Sequence, residues 1–91
     1  MLEKGLKHIS AMRVEAGNTA EYIGSGDMAV LATPAMVALM ENAAMLAVAL
    51  HLGEGETTVG SMISTSHLKP SKVGNTVQAV AELTEVDGRK L

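Results

Sequence analysis

Three side chains in this sequence are the leading candidates for acid–base or nucleophilic chemistry: Thr33, Glu41 and His67. Thr33 stands before Pro34 at a predicted helix start, where the helix dipole and the free backbone N–H groups favour negative charge. Glu41 is the only acidic residue of an otherwise apolar helix. His67 can act as a general acid or base near neutral pH. Together, such groups can activate a nucleophile, transfer a proton and stabilise an oxyanion.

Each of the three residues also has a purely structural explanation. Thr33 can be only a helix N-cap, Glu41 can lie on a solvated strip of the helix, and His67 can be an ordinary histidine at the end of a strand. The sequence contains no metal-ligand spacing, phosphate-binding loop, dinucleotide fingerprint or nucleophile elbow. The residues alone therefore indicate a small α+β domain with a buried helix, and they leave its chemistry open.

A long apolar helix must position two of these residues. Thr33 can cap the free N–H groups, and Pro34 at the first helical position gives up no needed donor. With Gly53 as a stop signal, the pattern predicts a helix from Thr33 to about His51, roughly 18 residues or about 27 Å long. Apolar residues occupy nearly every face of it. Such a helix is wrapped by other structure, and in 91 residues we expect a curved sheet.

The spacing of Thr33 and Glu41 limits how they can cooperate. They are eight residues apart on the predicted helix, which corresponds to about 12 Å of rise and about 80° of rotation. Their side chains therefore cannot hydrogen-bond to each other within one subunit. Either a substrate and His67 span the gap, or the set is assembled across a dimer interface.

Three segments are predicted to form strands: residues 8–15, 57–68 and 75–86. The last has the clearest alternation, with Val77, Ala79, Ala81 and Leu83 on one face and Val80 as the exception. Asp87-Gly88 follows as a hairpin signal, and the sequence ends three residues later. We therefore expect the chain to be a C-terminally truncated version of a longer domain.

Composition excludes several classes of protein. The net charge of −3, the lack of a basic cluster and the near absence of aromatic residues argue against nucleic-acid binding. Residues 28–50 are nearly all apolar, but Pro34 and the Glu41-Asn42 pair interrupt them, and a charge at the bilayer centre costs at least about 2.5–3.5 kcal/mol. We expect no membrane association. No secretory signal is visible, so the default expectation is a cytoplasmic protein.

Two blocks of the sequence resemble a known family. LATPAMVALMENAA (residues 31–44) resembles the helix start of hotdog thioesterases related to fluoroacetyl-CoA thioesterase, and GSMISTSHLKPSKVGNTVQAVAEL (residues 60–83) is similar to the two strands that follow. The match runs from about Gly24 to Gly88. The resemblance implies an α+β hotdog fold, a long central helix wrapped by an antiparallel sheet. Residues 1–91 would form one such domain lacking the last two strands, and it would work as a homodimer or higher homo-oligomer.

The resemblance also implies roles for four residues. In that family a Thr, a Glu and a His act together on an acyl thioester, and they fall here on Thr33, Glu41 and His67. A strand glycine whose backbone approaches the thioester matches Gly60. The implied activity is hydrolysis of a small acyl-CoA thioester, with CoA as part of the substrate, no bound cofactor and no metal.

The sequence departs from the family at residues 24–29, where the fluoroacetyl-specific enzyme carries aromatic residues and this chain has none. The resemblance therefore does not imply fluoroacetyl specificity. Two alternatives stay open. A non-catalytic module can use the same pocket to bind acyl-CoA, and an inactive truncated remnant can serve only as a dimer partner.

Overall fold

The fold is described for residues 2–91 of a computed structural model. It contains two strands, a turn of 3-10 helix and two α-helices, one short and one long. In chain order these are β1 (Lys7–Arg13), the 3-10 turn (Ala16–Asn18), α1 (Ala20–Ile23), α2 (Thr33–Ala49) and β2 (Thr76–Glu82).

The two strands form an antiparallel pair whose inner face lies against α2. Lys7 pairs with Glu82 at one end and Arg13 with Thr76 at the other. In both strands every second side chain turns inward, and the central pair, Ser10 and Ala79, is buried. The predicted alternation of β2 is confirmed, and Val80, the exception in the pattern, lies exposed on the outer face. The strand ends at Glu82, earlier than the predicted residue 86.

Helix α2 packs on this sheet through small side chains. Ala43, Ala47 and Val48 are its buried residues, and alanine lets the helix axis approach the strands closely. The Ser10 hydroxyl donates a hydrogen bond of 2.7 Å to Oδ1 of Asn42 across the contact. The helix ends at Ala49, two residues before the predicted end. Within residues 2–91 the wrapping is incomplete, since Met45 and Leu46 stay exposed.

The start of α2 is fixed by a second small core. Val14, Thr19, Leu31 and Ala32 are buried together with little or no exposed surface. The chain folds back on itself here, because the Ala32 N–H donates to the Asn18 carbonyl at 2.9 Å and the Leu31 N–H to the Ser71 carbonyl at 2.8 Å. Ala32 is the N-cap, without a side-chain cap, and Pro34 lies in the first turn. The prediction that Thr33 caps the helix was therefore wrong, and its hydroxyl is free for another partner.

The predicted strand at residues 57–68 does not form. Among residues 2–91, no backbone hydrogen bond reaches this stretch, and it contains neither helix nor turn. We call it the 57–68 segment. A strand needs a neighbouring backbone to pair with, and within residues 2–91 the segment hydrogen-bonds to neither free edge of the β1–β2 pair. The β-branched composition that predicted a strand is real, but the described part of the chain supplies no partner for it.

A tight turn forms at the predicted place but one residue later, with Gly88-Arg89 rather than Asp87-Gly88 as its two central residues, and no strand flanks it within residues 2–91. Asp87 and Lys90 exchange two backbone hydrogen bonds, each 2.9 Å long. Gly88 has a positive φ of 60°, a conformation that glycine adopts without steric cost. None of the helices formed by residues 2–91 has the length and apolar character to cross a bilayer.

Candidate active site

Thr33 and His67, predicted from sequence to act together, are hydrogen-bonded. The Thr33 Oγ1 lies 2.8 Å from the His67 Nδ1. When Nδ1 carries no proton, the threonine hydroxyl donates to it; when Nδ1 is protonated, the hydroxyl accepts. The direction of a hydroxyl at the start of α2 is therefore coupled to whether the imidazole carries a proton on Nδ1.

Thr33 and His67 are brought together because the backbone near each of them is held in place. Thr33 follows the fully buried Ala32. His67 comes four residues before Ser71, whose carbonyl accepts from the Leu31 N–H. An open cavity of about 320 Å³ lies over the pair, lined also by residues 25–28 and 68–70. The hydroxyl and the imidazole therefore border a space that a small ligand can enter.

A second pair is formed by Glu41, farther along α2, and Gly60, which lies against the helix at that point. The carboxylate of Glu41 lies so close to Gly60 that a Cβ built on the glycine would stand 2.6 Å from Oε2. Both residues are exposed. They border an open cleft of about 710 Å³ between α2, residues 58–63 and the end of β2.

The 57–68 segment runs alongside α2 in the opposite direction. His67 contacts Thr33, the Thr65 hydroxyl lies 3.9 Å from the sulfur of Met40, and Gly60 meets Glu41. From the start of α2 onward, the helix therefore contacts successively earlier residues of the segment. All four predicted site residues therefore lie where this segment meets α2, in two separate pairs. Thr33 and Glu41 do not meet, as their helical spacing predicted.

Two further residues lie at the site although the sequence analysis did not assign them to it. Asp27 and Lys69 line the cavity of the Thr33–His67 pair. The feature of the sequence that could have identified them is their proximity to the predicted site residues, since each lies within six residues of Thr33 or His67. Residues 2–91 contain no cluster of His, Cys, Asp or Glu able to hold a metal ion.

Comparison with known proteins identifies one family. A sequence profile described as fluoroacetyl-CoA-specific thioesterase matches residues 14–91. The fluoroacetyl-CoA thioesterase of Streptantibioticus cattleyicolor is 44% identical over 62 residues, which are 68% of this chain and 45% of that enzyme. The match thus spans less than half the length of the curated relative.

Solved structures give the same answer for the fold. A phenylalanine-to-alanine variant of the fluoroacetyl-CoA-specific thioesterase, in complex with fluoroacetate and CoA, superposes with a TM-score of 0.88 at 31% identity, covering 97% of this chain and 75% of that one. A threonine-to-serine variant with acetyl-CoA gives 0.89 at 30% identity, covering 97% and 71%. The predicted hotdog fold is confirmed.

Proposed function

Because this chain belongs to the fluoroacetyl-CoA-specific thioesterase family, we propose that it acts as an acyl-CoA thioesterase on small acyl groups. One observation carries the proposal: a hydroxyl–imidazole pair and a carboxylate–glycine pair lie on the same helix, where it meets the 57–68 segment. These are the groups that thioester hydrolysis needs. CoA is part of the substrate, and the reaction uses no bound cofactor.

The chemistry divides among the four residues. Glu41 acts in one of two ways: as a general base, it takes a proton from the water molecule that attacks the thioester carbonyl carbon; as a nucleophile, it attacks that carbon itself, and water then hydrolyses the resulting acyl anhydride and frees the carboxylate. The oxyanion that forms is stabilised by the Thr33 hydroxyl and the backbone N–H of Gly60, a type of contact that contributes about 10²–10³ in kcat per donor. As the C–S bond breaks, His67 supplies the proton that the leaving CoA thiolate takes up.

We further propose that a complete site forms between two copies of the chain. The two pairs are about 12 Å apart along α2, too far for direct contact across one small acyl group. The 57–68 segment also exposes Val59, Met62 and Leu68 at 87–90% of their surface. Free backbone groups beside apolar side chains form a template for pairing with another chain. A homodimer or higher homo-oligomer joined near residues 57–68 or 75–86 would bury them.

The acyl group bound here need not be fluorinated. Residues 25–28, which line the Thr33–His67 cavity, include no aromatic side chain to close over a small acyl group. We expect kcat/KM for fluoroacetyl-CoA to be no higher than for acetyl-CoA. A strong preference for the fluorinated substrate in parallel assays would contradict this expectation.

The cytoplasmic location stays a prediction.

Release of free CoA thiol from acetyl-CoA and propionyl-CoA tests the proposal directly. Glu41→Gln should lower turnover by about two orders of magnitude or more, because an essential acid–base or nucleophilic group is lost. Glu54→Gln, in an exposed loop away from both cavities, is the matched control and should keep wild-type turnover. Near wild-type turnover in Glu41→Gln would remove Glu41 from the mechanism. Tight acyl-CoA binding without turnover in the wild type would instead favour the non-catalytic binding module.

A further inference from the structure

We propose that Gly60 is a positioning residue: its missing side chain leaves the space in which the Glu41 carboxylate lies. The inference rests on the proposed function only in taking Glu41 as the reactive carboxylate. It differs from the oxyanion role of the Gly60 backbone, because that role needs the N–H and would survive a methyl group on Cα.

Backbone conformation does not explain this glycine. Within residues 2–91, five glycines have a positive φ, which by itself favours glycine; they are Gly5, Gly24, Gly55, Gly74 and Gly88. Gly60 is not among them, so any residue can adopt its backbone conformation. A side chain at position 60 would instead collide with Glu41, because its Cβ would lie 2.6 Å from Oε2 of the carboxylate. That distance is well inside van der Waals contact.

The atom that must move is the end of a flexible side chain. Glu41 is exposed on α2, so its carboxylate can turn to another staggered rotamer at small cost. An alanine at position 60 should therefore leave the fold intact and displace the carboxylate. A misplacement of about 1 Å at a reacting group can cost about 10²-fold in rate.

The chain contains its own control for this substitution. A Cβ at Gly53 would also meet a carboxylate oxygen, Oε1 of Glu56, at 2.8 Å. That contact joins residues three apart in an exposed loop, where the Gly53 N–H donates to the same oxygen. Gly53→Ala thus repeats the chemistry of Gly60→Ala away from the four site residues.

The decisive experiment is a double-mutant cycle on the full chain. Gly60→Ala should lower kcat by about 10- to 100-fold with little change in KM, whereas Gly53→Ala should keep wild-type kcat. Glu41→Asp shortens the side chain by one C–C bond, about 1.5 Å, and gives the methyl group room. In that background Gly60→Ala should cost less than about 2-fold, so the two effects should be strongly non-additive. An equal loss in both backgrounds would overturn the inference and leave only a backbone role for Gly60.

A second readout does not depend on activity. With ¹³C-labelled glutamate, Gly60→Ala should shift the Glu41 carboxyl resonance, while Gly53→Ala should shift that of Glu56 and not that of Glu41. If the wild type hydrolyses no acyl-CoA but the Glu41 resonance moves as expected, the proposed function fails and the positioning role stands. An unmoved Glu41 resonance in Gly60→Ala overturns the positioning role, whatever the turnover.

Discussion

The β1–β2 pair and the 57–68 segment lie on the same helix but are held in different ways. The strands pair along their whole length and bury Ser10 and Ala79 under α2. The segment meets α2 through the His67 and Thr65 side chains and at Gly60, and it has no backbone hydrogen bond within residues 2–91. Every proposed site residue lies on the helix or on the segment. The proposed chemistry therefore lies at the loosely held contact, and the paired strands hold the helix in place.

Hydrogen exchange should show the largest difference between the two regions. Amides at the centre of β1 and β2 exchange through global unfolding, so in a domain of ordinary stability their protection should be at least about 10³-fold. Amides of the 57–68 segment should exchange at nearly unprotected rates in dilute solution. If the segment pairs with another copy, its protection should rise with protein concentration. Concentration-independent protection equal to that of β1 would contradict the proposed association.

Removal of the Thr33 hydroxyl should affect activity far more than stability. Thr33→Ala removes the 2.8 Å contact with His67 and one proposed oxyanion donor, so kcat for acetyl-CoA should fall by about 10²-fold. The helix should be unaffected, because Ala32 and not Thr33 is the N-cap. Thr33→Ser keeps the hydroxyl and is the control. A loss of activity that follows a lowered thermal midpoint, or equal losses in both variants, would argue for a structural role.

Two valine truncations compare the regions in stability. Val14 is fully buried, whereas Val59 is 87% exposed. Val14→Ala should lower the free energy of unfolding by about 2 kcal/mol through lost burial and an unfilled cavity. Val59→Ala should change it by less than about 0.5 kcal/mol in the dilute protein. Denaturant titration measures both. A larger loss for Val59→Ala would mean that the segment is packed, either within the chain or against another copy.

The contrast between the locally determined elements and the 57–68 segment also explains how far the sequence could predict the structure. Helix α2 and the β2 alternation were predictable because periodicity and local signals such as Pro34 determine them. The turn near Asp87-Gly88 was predictable to within one residue for the same reason. The 57–68 segment was not, because strand formation depends on a partner that its composition does not specify. The N-cap was misassigned because burial of Ala32, a tertiary effect, overrode the capping preference of Thr33.

The candidate site could be predicted only in part. The residue types and the resemblance selected Thr33, Glu41, His67 and Gly60. The spacing on α2 indicated that Thr33 and Glu41 do not meet, and the structure agrees. Their division into two pairs could not be predicted, since it depends on the path of the 57–68 segment across the helix. Whether these residues act in catalysis stays a prediction for the experiments above.

The Ser10–Asn42 hydrogen bond and the buried face of α2 together fix the rotation of the helix about its own axis. Successive residues of a helix point about 100° apart, so once Asn42 is directed at Ser10 of β1, the direction of Glu41 is determined as well. Its carboxylate lies beside Gly60. A rotation of the helix by one residue would direct a carboxylate into the alanine-lined contact with the strands. Together with the buried Ala43, Ala47 and Val48, one hydroxyl on β1 thus fixes on which side of the molecule the only acidic side chain of α2 is presented.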